Sequence, residues 1–202
     1  MNNEIAIAML FGLFGFKITA LYIGFGLFVA IFGGLLISKL NMENEILLDV
    51  KELDTELQAN MIKLGFKDRC KEAWIYTYDI FKKIYIYVMF GVAVGAGIHG
   101  YIPTDFIVKY TGEGNPFAVI IAVIMGIPMY SSAAGVMPLV EVLTSKGMLL
   151  GTALAFMMAV TALSLPEALI LKKIISAKLI SVFFLIVASG IIVIGYLFNI
   201  IL

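Results

Sequence analysis

The sequence predicts an all-α polytopic membrane protein of about four to six membrane segments, some of them half-helices broken at proline, with a charged helical hairpin in the cytoplasm. Three observations predict it. Of 202 residues, 62% are apolar or aromatic and 14% are charged, against about 45–50% and about 25% in a soluble domain. The charge is gathered in one place, since residues 39–83 carry eight of the fourteen Lys and Arg and nine of the fourteen Asp and Glu. Long apolar runs flank that region on both sides, and those after it are interrupted by Pro, Gly and Ser. Three parts follow: an N-terminal membrane part over 1–42, the charged amphipathic hairpin over 43–83, and a membrane domain with broken helices over 84–202.

Zero net charge removes any broad electrostatic attraction to nucleic acid. Cys70 is the single cysteine and His99 the single histidine, so no intramolecular disulfide, metal cluster or other cofactor is expected.

The opening Met1-Asn2-Asn3-Glu4 lacks the basic n-region of a signal peptide, and no cleavage site follows, so the segment reads as part of the mature protein. Residues 5–16 would make a helix of about 18 Å, too short for a hydrocarbon core of about 30 Å. Ile18 to Ser38 can cross it. Lys17, between the two, reads as an interfacial anchor whose stem snorkels, with an ion-pathway lysine as the other reading.

From Glu43 the pattern is that of a helix in water: Val50, Leu53, Leu57, Met61 and Leu64 recur at helical spacing among charges. Gly65 fits a C-terminal stop, and a second polar helix from about Lys67 runs through Trp74 and Tyr78 into the next span. That span is Ile84 to Ile102, with Gly91, Gly95 and Gly97 offering a close-packing face. His99 near its end reads as an interfacial or hydrogen-bonded side chain, with a proton relay as the alternative.

After a polar loop over 103–116, Phe117 to Ile127 is a half-length helix. It is followed by Gly126-Ile-Pro128-Met-Tyr-Ser-Ser-Ala-Ala-Gly-Val-Met-Pro138, where two prolines should unwind the backbone, and Leu139 to Lys146 reads helical again. Met148 to Leu165 is a further apolar stretch. It closes on Ser164-Leu-Pro166-Glu167, which has the spacing of a capping box at the start of a new helix to Lys173. Leu179 to Leu202 is the last span. Lys39, Lys82 and Lys83 place residues 39–83 in the cytoplasm and the amino terminus and Asp105 outside. Lys172, Lys173 and Lys178 also prefer the cytoplasm, which requires an odd number of crossings between Asn115 and Lys172; residues 116–146 would then be a re-entrant hairpin.

Unpaired backbone groups are tolerated at membrane depth only where protein or a water-filled cavity meets them. Discontinuous helices use that freedom to present binding groups. A helix N-terminus offers an anion about 0.3–1 kcal/mol, whereas a charged side chain at the bilayer centre costs about 2.5–3.5 kcal/mol on the insertion scale. The candidate substrate-binding residues are therefore Pro128, Tyr130, Ser131 and Ser132 in the first break and Thr161, Ser164, Pro166 and Glu167 in the second. The plain alternative is that both breaks are structural kinks with Ser164 and Glu167 only capping. Glu141, three residues after Pro138, is the candidate coupling carboxylate, or else an interfacial one near Lys146.

The run Ile127-Pro128-Met-Tyr130-Ser-Ser-Ala-Ala-Gly-Val-Met-Pro138, then Lys146-Gly147, Ala153-Leu-Ala-Phe156 and Ser164-Leu-Pro166-Glu167, resembles the predicted-permease family that includes the organoarsenical efflux (ArsP-like) permeases. The opening Leu10-Phe-Gly-Leu-Phe-Gly15 through Tyr22 is similar as well. The resemblance covers most of the chain and corresponds to the carboxyl-terminal repeat of longer members. It implies a half-transporter that moves a small solute across the cell membrane by alternating access, completed by a second copy or by a second half-permease chain. Family members often carry a cysteine where this chain has Ser132, and a hydroxyl is a poor ligand for thiophilic trivalent arsenic.

The competing function is a non-transporting assembly or regulatory subunit that docks a partner through its cytoplasmic hairpin. An intramembrane enzyme is not expected, because the sequence lacks HExxH, a second histidine and a Ser/His pair at a recognisable spacing.

Overall fold

The computed structural model describes residues 4–46, 65–71, 73–75, 77–78, 81–82, 85, 89, 93, 104–112, 114–129, 131–172 and 174–202. Most of the span expected over 84–102, with its glycine face and His99, and most of the charged hairpin lie outside the described residues. The described positions between 66 and 93 are helical. Seven helices with full bounds follow one another: α1 (Glu4–Lys39), α2 (Thr104–Thr111), α3 (Ala118–Gly126), α4 (Ala133–Ser145), α5 (Leu150–Ala162), α6 (Leu165–Leu171) and α7 (Ala177–Ile201). A single 3-10 turn, Glu43–Glu45, follows α1. The protein is all-α, and among the described residues three stretches are long and apolar enough to cross a membrane: Glu4–Lys39, Leu150–Leu171 and Ala177–Ile201.

The division expected near Lys17 falls at Gly15, whose φ of 78° and ψ of 177° interrupt α1. Only glycine takes that conformation without strain, so the chain can turn there at little cost. From Phe16 to Lys39 the helix is about 36 Å long, enough for the hydrocarbon core. Thr19, Tyr22, Gly26, Val29 and Gly33 are buried at helical spacing, whereas Leu27, Phe28, Ile31, Phe32, Leu35 and Leu36 are exposed. Apolar residues on the uncovered face are what lipid contact demands.

α1 and α7 are antiparallel. Phe25 meets Phe198 edge-on at 5.4 Å, a Cβ at Gly190 would lie 2.9 Å from Val29 Cγ2, and one at Gly33 would lie 3.4 Å from Ile186 Cγ2. Lys39 and Lys178 therefore sit at one end of the bundle. At the opposite end Asn199 of α7 accepts from the Thr152 amide at 3.1 Å and donates to its hydroxyl at 3.0 Å. α5 starts at that end, and every residue from Gly151 to Val160 is buried. α3, α4 and α7 all pack on it. Small residues four apart along it, Gly151, Ala155 and Ala159, admit these neighbours closely. A Cβ on Gly195 of α7 would lie 2.8 Å from Ala155 Cβ, and one on Gly126 of α3 would lie 3.0 Å from Ala159 Cβ. This is the close packing that association in lipid relies on.

The segment between α2 and α5 enters and returns at the Asn199 end. Tyr196 donates to the Pro116 carbonyl at 2.6 Å where the segment begins. Gly112 and Met148 form an antiparallel bridge where it closes. Its arms, α3 at 9 residues and α4 at 13, are about 14 and 20 Å long, each short of the core thickness. The two arms form a helical hairpin whose beginning and end lie at the Asn199 end.

Candidate functional site

Two stretches of the membrane part leave the helical path. In the first, α3 stops at Gly126, one residue before the Ile127-Pro128 pair, because proline has no amide to continue the ladder and disfavours helix at the residue before it. The extended path is shorter than expected. Ser132 at the N-cap accepts from the Gly135 amide at 3.1 Å and so starts α4 at Ala133, leaving Pro138 inside the helix. The expectation that the chain stays unwound to Pro138 is corrected: a cap six residues upstream wins, and one missing amide within a helix is tolerated where neighbouring helices pack on it. A Cβ at Gly135 would lie 2.5 Å from Ser131 Oγ, so a larger residue there would make the Ser131 hydroxyl turn away.

In the second stretch α5 ends at Ala162, and Leu163 and Ser164 lead into α6. Ser164 occupies the N-cap position with φ −66° and ψ 144°, but its side chain makes no capping bond. The capping box with Glu167 does not form. Pro166 removes one of the first-turn donors, and the Leu165 amide is committed elsewhere, donating to the Ile127 carbonyl at 3.0 Å.

That bond joins the two breaks. Ile127 and Leu165 are each the residue before a proline, and each would otherwise leave a backbone group without a partner in lipid. They meet about 20 Å, the length of α5, from the Asn199 end of a bundle whose α7 is about 37 Å long, so near mid-depth. The sequence carried a signal for them, two X-Pro pairs inside apolar runs, yet the candidate list held the prolines and the hydroxyls rather than the two backbone groups that bond.

Of the candidate residues, Ser132 is exposed, Ser131, Thr161 and Glu167 are half-buried, and Ser164 is 2% exposed. Thr161 donates back to the Met157 and Met158 carbonyls, and Ser131 donates to the Ser132 carbonyl at 3.3 Å. Each hydroxyl of the two breaks that is hydrogen-bonded among the described residues thus serves its own stretch, and the join is made by backbone. Tyr130 lies outside the described residues. Glu141 is exposed on α4, about 13 Å along the helix from Ser132. Lys146 donates to Thr104 Oγ1 at 2.9 Å.

Among the described residues no group of three or more His, Cys, Asp or Glu is placed to hold a metal ion. A groove of about 510 Å³ between α1 and α7, lined by residues such as Phe25, Phe32, Leu36, Leu185 and Val193, is apolar and lies apart from both breaks. The polar arrangement that sequence reading missed is the Asn199–Thr152 pair. Leu149 stands at the N-cap of α5 and cannot cap it, so the Asn199 carboxamide serves the Thr152 amide from across the bundle.

The profile of a family described as predicted permease matches residues 1–200. The UPF0718 protein MJ0584 of Methanocaldococcus jannaschii is 30% identical over 114 residues, which are 56% of this chain and 31% of that protein. The chain thus spans about a third of the length of the curated relative it matches. No solved structure matches.

Proposed function

This chain belongs to the predicted-permease family, and on that premise we propose that it is a half-transporter subunit that moves a small solute by alternating access around the two discontinuous stretches. The observation that carries this is the Leu165 to Ile127 hydrogen bond at 3.0 Å. It ties two proline-broken stretches together near mid-depth, with the exposed Ser132 and the half-buried Ser131, Thr161 and Glu167 a few residues away. Irregular backbone in a bilayer belongs where protein or water meets it, and carriers bind solutes at such interruptions. Because Ser132 is exposed, a second copy of the chain or a second half-permease chain supplies the facing wall. The end carrying Lys39, Lys172 and Lys178 faces the cytoplasm, with the charged residues 39–83 on that side of the cell membrane. The Ser132 hydroxyl favours a solute that hydrogen-bonds over a thiophilic one. Glu141 is the coupling carboxylate to test first, by pH-dependent flux in Glu141→Gln.

A test that does not need the substrate uses Ser132→Cys in a Cys70→Ser background, reconstituted in vesicles. A charged, membrane-impermeant thiol reagent should modify position 132, and applied from one face and then the other it should react from both. Modification by a lipid-soluble reagent alone would mean that the break is dry, and the carrier reading would fail.

A further inference from the structure

α6 is seven residues long, about 10 Å, and is held by backbone bonds at both ends. Its first amide, on Leu165, reaches the Ile127 carbonyl in the first break. Its last carbonyl, on Leu171, accepts from the Ile174 and Ile175 amides at 2.8 Å each. Ile175 then bridges Ile46 in antiparallel fashion, and the Ser176 amide donates to the Glu45 carbonyl at 2.8 Å. The Glu45 side chain completes the knot. Its carboxylate accepts from Lys178 Nζ at 3.2 Å. Ser176 Oγ also caps α7 by accepting from the Leu179 amide at 3.2 Å. One short helix thus connects the break to the segment that leaves α1 for the charged region.

We propose that Glu45, with Ser176 and Lys178, is a positioning residue for the pathway: the tie between Glu43–Glu45 and the start of α7 holds α6 in place and keeps the second break closed around Ser164. This rests on the carrier reading of the two breaks. With the tie made, Ser164 is buried and Leu165 stays in register with Ile127. With it released, the lower end of α6 is free to shift, and Ser164 becomes reachable from the Lys178 end. The carboxylate and the ammonium are both partly in solvent. Their pairing therefore biases an equilibrium by a small factor, as a device that opens and closes in every cycle must.

The test reads the modification rate of Ser164→Cys by an impermeant thiol reagent in the Cys70→Ser background. Glu45→Gln and Lys178→Gln should each raise it about two- to fivefold, and the charge-reversed pair Glu45→Lys with Lys178→Glu should return it towards the parent rate. Thr152→Cys, fully buried at the far end, reports general loosening and should react at the same rate in every background. An unchanged Ser164→Cys rate in both single variants would overturn the tie, as would a reversed pair no closer to the parent than the singles, or an equal rise at Thr152→Cys. Failure of the carrier reading itself looks different, because Ser132→Cys would then resist the charged reagent even with Glu45 intact.

Discussion

Replacing Leu165 with proline removes the amide that joins the two breaks while asking little else of the chain. Leu165 is the first residue of α6, where proline's fixed φ suits a helix start. Ser164 already has the extended conformation, φ −66° and ψ 144°, that a residue before proline prefers. What is lost is the 3.0 Å bond to the Ile127 carbonyl, which is left inside an apolar bundle without its donor. An unsatisfied buried group costs about 1–3 kcal/mol, though side-chain hydrogen bonds in a membrane protein average about 0.6 kcal/mol when measured directly. Over a chain of this size about 1 kcal/mol corresponds to roughly 2–4 °C in Tm, so Leu165→Pro should melt roughly 2–10 °C below the parent in mild detergent. Leu165→Ala is the comparison. It keeps the amide and removes a side chain that is 40% exposed, so it isolates the bond from the packing. If the proline and alanine variants melt together, the amide contributes nothing and the join between the breaks is incidental.

Three further outcomes follow from the packing and from the tie. Gly195→Ala places a methyl 2.8 Å from Ala155 Cβ and 2.5 Å from Val119 Cγ1, and it should cost about 1–3 kcal/mol in a denaturant titration; an unchanged midpoint would show that α7 can back away from α5. Asn199→Ala removes the remote cap of α5 and should cost about 0.5–2 kcal/mol; combined with Thr152→Val the loss should fall short of the sum of the singles, and full additivity would mean that the two side chains act independently. The Glu45 carboxyl is held below its ordinary range by the Ser176 hydrogen bond first and by Lys178 second. Because the folded value is the lower one, its contribution is present above the ordinary glutamate range and is lost as the pH falls through that lowered value. The carboxyl carbon resonance of Glu45 should therefore titrate below ordinary glutamate, and an unshifted titration would refute the bonds.

Composition alone sufficed for the solvent and the class. A chain with 62% apolar residues has too little polar surface to face water, and backbone in lipid must then close its own hydrogen bonds, which leaves helices once strand alternation is missing. Helix ends were also legible wherever the determinant is local. Pro128 and Pro166 lack an amide, so α3 stops at Gly126 and α6 begins beside Ser164. The two short arms within 116–146 were legible in the same way. What the chain could not disclose locally was which freed group meets which. Pro138 was expected to extend the break, but a cap at Ser132 restored the helix first. Ser164 and Glu167 had the spacing of a capping box, but the Ser164 side chain makes no capping bond, and the neighbouring Leu165 amide joins a carbonyl 38 positions away. Asn199 is one polar residue in an apolar span, and its role depends on α5, whose N-cap is the non-capping Leu149, lying against it. Hydrophobic pattern and proline are properties of neighbours in sequence, so they can be read along the chain. A backbone group freed in lipid takes whichever partner the packing brings within 3 Å, and at mid-depth that partner is chosen by how the helices fit against α5.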